Sequence, residues 1–336
     1  MGWMTCMVRS EPLPTAAEGE GERLRLFDMH CDTLYECCKG DAYLDRNRLH
    51  VDLERGGRYA QWGQAFAVWM PDILRGEAAF EQCRDMLLFA HDQAALYADR
   101  MQIIRTGEEL VPVLQSGRCA AILTVEGGSA LAGRLEHIED LQKLDVKAIT
   151  ITWNGSNELG HGCLSGCDEG LTPFGRAAVR RMVQVGILPD VSHLNERGFW
   201  DVAECTDGAF LATHSVAAAV HAHPRNLTDR QFAEIRNRGG LVGLNFCADQ
   251  LGEQTFDGIA RHLDHYLSLG GERTVALGCD LDGTSLPDNW GGIEVMERLY
   301  EALARQNVAQ DVLDRVFFGN CVDFFASALT KGGAMR

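Results

Sequence analysis

The chain has 336 residues, 46% hydrophobic and 24% charged, the profile of a globular protein with a sizeable core in one large domain or two modest ones. Its formal charge of −17, with no Lys/Arg-rich run, weighs against nucleic-acid and anionic-membrane partners. The 12 cysteines are scattered, and Cys119, Cys205, Cys247 and Cys279 lie in or beside apolar runs, so small buried thiols in a reducing cytoplasm are expected rather than a disulfide framework.

Residues 1–22 read as a flexible lead-in without the apolar core of about 7–15 residues that a secretory signal needs. No run approaches the roughly 18 apolar residues of a membrane span, and "ALTKGGAMR" is no lipid-anchor tail. Residues 23–336 read as one catalytic domain. Eight short β-prone runs follow in order: "RLRLFDMH", "QAFAVWM", "CAAILTVEG", "VKAITITWN", "GILPDVSH", "AFLATHS", "GLVGLNF" and "TVALGCD". Between them lie helical signals. "EQCRDMLLFAHDQAALYADRM" spaces its apolar residues helically, and Thr172 with Pro173 opens a helix that Gly186 stops. Thr caps also begin "TDRQFAEIRNRGG" and the stretch from Thr255 to Gly270. Strand–helix alternation implies parallel strands, and eight units fit a (β/α)8 barrel better than an open doubly wound sheet. The open sheet would want a Gly-rich phosphate loop after its first strand, and "MHCDTLYE" is not one.

Polar side chains gather where these strands end: His30 and Asp32 on the first, Glu126 on the third, His193 on the fifth, His214 on the sixth and Asp280 on the eighth. Residues two apart in a strand face the same side, so His30 and Asp32 can approach one metal while Cys31 turns away into packing. Each residue alone has a plainer reading, as a hydrogen-bonded strand-end His or an Asp-Gly turn former. Their joint placement at five of eight strand ends favours a metal site. Three imidazoles and three carboxylates exceed one tetrahedral ion and suit two ions bridged by a carboxylate, about 3.5–4 Å apart. His161, His221 and His223 fall in loops on the same side as candidate pocket lining, whereas His50, His91, His137, His262 and His265 read as structural. Cys163 and Cys167 could hold a metal or form a bridge, but no matching pair accompanies them.

In the order "DMHCD", "TVEGG", "DVSH", "THS", "HPRN" and "GCDLDG", the chain from Phe27 to Gly283 resembles the membrane dipeptidase (renal dipeptidase) family, zinc peptidases with an amidohydrolase-type barrel. The resemblance implies one zinc held by His30, Asp32 and Glu126, with Glu126 bridging to a second held by His193 and His214, other divalent metals being possible. It implies that Arg225 grips a substrate carboxylate, that Asp280 handles the proton of a metal-bridged water, and that the substrate is a small dipeptide, including one with a D-residue at its C-terminal position. A homodimer is also implied. The family's better-known members carry a His at the end of the fourth strand; here Trp153 stands there with Asn154 beside it, as substrate-binding candidates. Asn154 can donate a hydrogen bond to an oxyanion but supplies no cation, which bears on substrate range. Alternatives are a related amidohydrolase acting on N-acyl amino acids, lactams or lactones, and a non-catalytic binding barrel.

Overall fold

The computed structural model describes residues 23–40 and 42–329, so the lead-in at 1–22 lies outside the described residues. The strands are β1 (Arg25–Cys31), β2 (Gln61–Trp69), β3 (Met101–Ile103), β4 (Cys119–Glu126), β5 (Val146–Thr150), β6 (Leu188–Asp190), β7 (Val242–Leu244) and β8 (Val275–Leu277). They pair in parallel in the order β6-β5-β4-β2-β1-β8-β7, with helices in the connections.

The sixth predicted strand, around 209–215, is present only as single bridges, Asp190 with Leu211 and Ala212 with Val242. These bridges nonetheless close the ring. Val191 N–H donates to Leu211 O at 2.8 Å on one side, and Gly243 N–H to Ala212 O at 2.9 Å on the other. The segment is pressed against its neighbours: a Cβ on Gly278 would overlap Thr213 O and stand 2.9 Å from the Gly243 Cα. Sequence reading missed β3. It pairs with the first three residues of β4, Cys119–Ala121, on the flank that β5 takes up from Leu123 onward. At three residues it carries no alternation to read.

The helix signals hold. Thr172 Oγ1 accepts from Gly175 N–H at 2.9 Å ahead of the helix Pro173–Val185, and Gly186 (φ 83°) ends it. Thr228 forms a capping box with Gln231 at the head of Asp229–Asn237. Apolar side chains pack in two bodies. One joins the strands to the surrounding helices. The other joins Phe27, Ala120, Ile122 and Leu188 to the helices Gly107–Gln115 and Asn320–Ala328, with Phe27 stacked on Phe325 at 5.5 Å. Burying these faces against one another is what makes the strands' far ends a fixed frame.

One carboxylate ties the ring together where its strands are shortest. Asp190 is buried and accepts from Thr150 Oγ1 and Thr213 Oγ1, each at 2.6 Å, and from the N–H groups of Ser192 and Thr213, each at 3.0 Å. Asp190→Ala strands these donors, and charge-assisted bonds contribute about 1.5–3 kcal/mol each. We expect a loss of at least about 3 kcal/mol in denaturant unfolding, whereas Asp140→Ala at the surface should change stability by less than about 0.5 kcal/mol.

Candidate metal centre

β1 presents His30 within its last turns of ladder and Asp32 immediately after it, both buried, while Cys31 packs into the large apolar body as expected. β4 ends on Glu126. His193, His214 and Asp280 each follow their strand by a few residues, so their positions depend on turns as well as ladders. His193 (φ 68°), Asp280 (φ 60°) and Asp282 (φ 67°) all sit in the left-handed region. That conformation costs a non-glycine residue about 1–2 kcal/mol, and it persists where surrounding structure over-determines it.

The ring brings all six predicted ligand and proton-transfer side chains together. Glu126 Oε1 lies 2.8 Å from His193 Nε2 and 3.4 Å from His214 Nε2, while Oε2 lies 3.5 Å from His30 Nε2. His30 Nε2 is 3.8 Å from both Asp32 Oδ2 and Asp280 Oδ1. The second ring nitrogens of two histidines are held: His193 Nδ1 meets Asn154 Oδ1 at 2.8 Å, and His214 Nδ1 meets Thr213 Oγ1 at 3.0 Å. An amide oxygen can only accept, so His193 donates through Nδ1–H to Asn154, which leaves Nε2 as the nitrogen free to ligate a metal. Thr213 in turn donates to Asp190, which makes the site continuous with the network that closes the ring. Asn154, expected as an oxyanion donor, is engaged through its oxygen in orienting His193.

The electrostatics follow from crowding these groups out of water. Burial alone would raise the Glu126 carboxyl, but the charge on His30 and the close approach of the His193 and His214 imidazoles pull it well below the usual carboxylate range. Burial pushes Asp32 up to about 6, with the Glu126 charge adding to the rise, and Asp280 up to about 8 against the charge on His30. Burial and Arg225 hold His193 down to about 4, and burial holds His214 well below its ordinary value.

These donors fit divalent metal ions. His30, Glu126 and His214, and likewise His30, Asp32 and Asp280, offer ligand atoms within 4.8 Å of one another. His30 Nε2 and Asp32 Oδ1 are buried without a hydrogen-bond partner, an arrangement costly for polar atoms unless a cation engages them. Imidazole and carboxylate donors suit zinc and its first-row neighbours.

The cluster forms the floor of a cavity of about 510 Å³. Arg225 lines one side; it is buried, and its Nη2 donates to His214 O at 3.2 Å. Trp153 lines the other, edge-on to Trp69 at 4.9 Å, and Trp69 meets Tyr35 edge-on at 4.7 Å. His223 lines the cavity, as its loop position suggested; His161 and His221 do not take part in the lining. The sequence reading overlooked Asn245, whose Nδ2 reaches Asp280 Oδ2 at 3.4 Å. Asp282, readable from its Asp-Gly sequence as a turn former, anchors the turn after β8 by accepting from Thr33 Oγ1 and His50 N–H, each at 2.6 Å. Gly283 was overlooked as well: a Cβ there would overlap Asp32 Oδ2 and Asp280 Oδ1, so the missing side chain is the room in which both carboxylates stand. Its only sequence signal was the Gly after "DLD".

Residues 21–330 match the sequence model of the membrane dipeptidase family (Peptidase family M19), and the chain belongs to that family. It is therefore a metallodipeptidase, a hydrolase of peptide bonds. It is similar to the solved dipeptidase AC, a metallopeptidase of family M19, at 29% identity over 92% of this chain and 100% of that one, with a TM-score of 0.86. A metallopeptidase from Rhodobacter sphaeroides, solved with a phosphinate mimic of the dipeptide L-Ala-D-Ala, matches at 28% identity over 91% and 99% of the two chains, with a TM-score of 0.84. A Klebsiella pneumoniae protein known as the uncharacterized protein in the pqqA 5′ region is 33% identical over 66% of this chain and 87% of its own.

Gly283→Ala tests whether the cavity at the two carboxylates matters for metal. We expect bound metal, measured by mass spectrometry of the digested protein, to fall at least tenfold at limiting metal, because displaced ligands commonly cost about 10–100-fold in affinity. The far-ultraviolet circular dichroism should be unchanged.

Proposed function

We propose that this dipeptidase binds two divalent ions, zinc in the first instance, with His30 and Asp32 on one side and His193 and His214 on the other, bridged by Glu126. The observation that carries the reading is the division of one carboxylate: Glu126 Oε2 faces His30, while Oε1 faces His193 and His214. Bound ions of this kind supply Lewis acidity, which brings the pKa of water toward neutrality and polarises the scissile carbonyl.

The chain's own residues do the rest. Arg225 pairs with the substrate's terminal carboxylate, a bidentate match that fixes how far the scissile bond lies from Glu126. Asp280, steadied by Asn245, accepts the proton of the attacking water and hands it to the leaving amine. Trp69, Trp153 and Tyr35 wall the cavity and keep bulk water from the reacting atoms. A cavity of about 510 Å³ has room for a dipeptide. The related Rhodobacter sphaeroides structure with its L-Ala-D-Ala mimic supports a D-residue at the C-terminal position. The eleven described cysteines are all unpaired, which supports work in a reducing cytoplasm. Among the described residues no helix is long and apolar enough to cross a membrane.

The apolar wall at Trp153 also favours a second substrate class, N-acyl amino acids, which would present the same carboxylate to Arg225. A panel of L,L- and L,D-dipeptides beside N-acyl amino acids, run with and without chelator, separates the two. The dipeptide reading predicts chelator-sensitive turnover of dipeptides; cleavage of acyl amino acids alone would replace it. Asp280→Asn should lower kcat by about 10²–10⁴-fold with bound metal retained. Arg225→Met should raise KM for dipeptides and lower kcat/KM by about 10–100-fold, the loss expected for a charged hydrogen-bonded pair. It should leave C-terminally amidated substrates no worse than in the parent enzyme.

A further inference from the structure

We propose that the loop between β5 and the helix Pro173–Val185 holds a second, separate metal site formed by His161, Cys167 and Glu169, and that it takes a zinc-class transition ion. The proposal goes beyond the dipeptidase site and uses none of its ligands.

A ring nitrogen of His161, Sγ of Cys167 and a carboxylate oxygen of Glu169 lie within 4.8 Å of one another. A tetrahedral zinc ion keeps its donors about 3.3–3.8 Å apart. The three therefore need to close by only about 1–1.5 Å, and Glu169 is exposed. Imidazole, thiolate and carboxylate together are the donor set that zinc, cobalt and their neighbours accept, and that calcium and magnesium do not. Three protein donors leave the fourth position to solvent.

Two features set these residues apart from a chance surface cluster. First, His161 Nδ1 lies 2.7 Å from Ser156 Oγ, so the hydroxyl can accept a hydrogen bond from Nδ1–H and leave Nε2 as the ligand nitrogen. Second, one buried residue holds the backbone of all three. Asn195 N–H donates to His161 O at 3.1 Å, and Asn195 Nδ2 donates to Cys167 O at 2.9 Å and to Glu169 O at 2.8 Å. Chain segments six and eight residues from His161 are thereby fixed against it before any ion arrives, which reduces the ordering cost of binding.

The clamp also couples the site to the barrel mouth. Asn195 stands two residues after His193, and Cys163 N–H donates to His193 O at 2.7 Å. An ion at His161, Cys167 and Glu169 therefore stiffens the loop against the turn that carries His193, and Leu164 of this loop lines the substrate cavity.

Cobalt separates this site from the one at the barrel mouth, because only this one has a sulfur ligand. Reduced, metal-free full-length chain is titrated with Co²⁺ and followed by near-ultraviolet absorption. A thiolate-to-cobalt charge-transfer band is expected, approaching one equivalent per chain. Cys167→Ser should abolish it, His161→Ala should weaken cobalt binding there at least tenfold, and Cys163→Ser should leave the band in place. Circular dichroism of each metal-free variant checks folding. A chain that develops no band in excess Co²⁺, or a band that survives Cys167→Ser, overturns the proposal. The visible d–d bands of cobalt bound to His and carboxylate at the barrel mouth report that site independently, so failure of either reading is seen without the other.

Discussion

Everything at the mouth of this barrel is organised around one buried anion. Glu126 stands at the end of β4, and imidazoles reach it from β1 and from the turns after β6 and after the closing segment at 211–212. β1 and β4 are separated from one another by β2, and β4 from β6 and the closing segment by β5, so these side chains meet only if the sheet curls into a ring. Closure in turn requires backbones to approach until only glycine fits, at Gly243 and Gly278 against Thr213. The carboxylate, the bridge of the proposed metal pair, is thus also the point that every register in the barrel has to satisfy. A slip of one residue in any of these strands would turn its contribution to the opposite face.

Much of this was legible before any coordinates. Strand–helix alternation gave the barrel because a parallel strand buried on both faces reads as a short apolar run, and eight runs appeared in order. The pairing of His30 with Asp32 across Cys31 was readable because strand periodicity is local. So were the helix starts at Thr172, Thr228 and Thr255, where a hydroxyl and its N–H partner lie three residues apart. What was hidden depends on separations that only folding closes. The role of Asn154 as partner of His193 spans 39 residues. Asp282 meets Thr33 across 249 residues. β3 borrows its strand character from β4 and has no pattern of its own.

The site is assembled at a conformational cost. His193, Asp280 and Asp282 hold left-handed backbone angles that L-residues avoid, and each is pinned by hydrogen bonds or a neighbouring ladder: Asn154 on His193, Asn245 on Asp280, Thr33 and His50 on Asp282. His and Asp are among the few non-glycine residue types that tolerate this region, so residue choice at these turns answers to backbone geometry as well as to ligand chemistry.

The ladder itself is uneven. β2 and β4 share eight paired residues, whereas β6, β7 and β8 are three residues each, and the segment between β6 and β7 is held by single bridges. The long β2–β4 ladder is the better secured part of the ring, and the short strands the less secured part. His193, His214 and Asp280 all hang from that weaker arc, while Glu126 hangs from the stronger one. Metal bound between the two arcs, as proposed above, would act as a cross-brace, lending mechanical stiffness to the side of the barrel that its own backbone secures least.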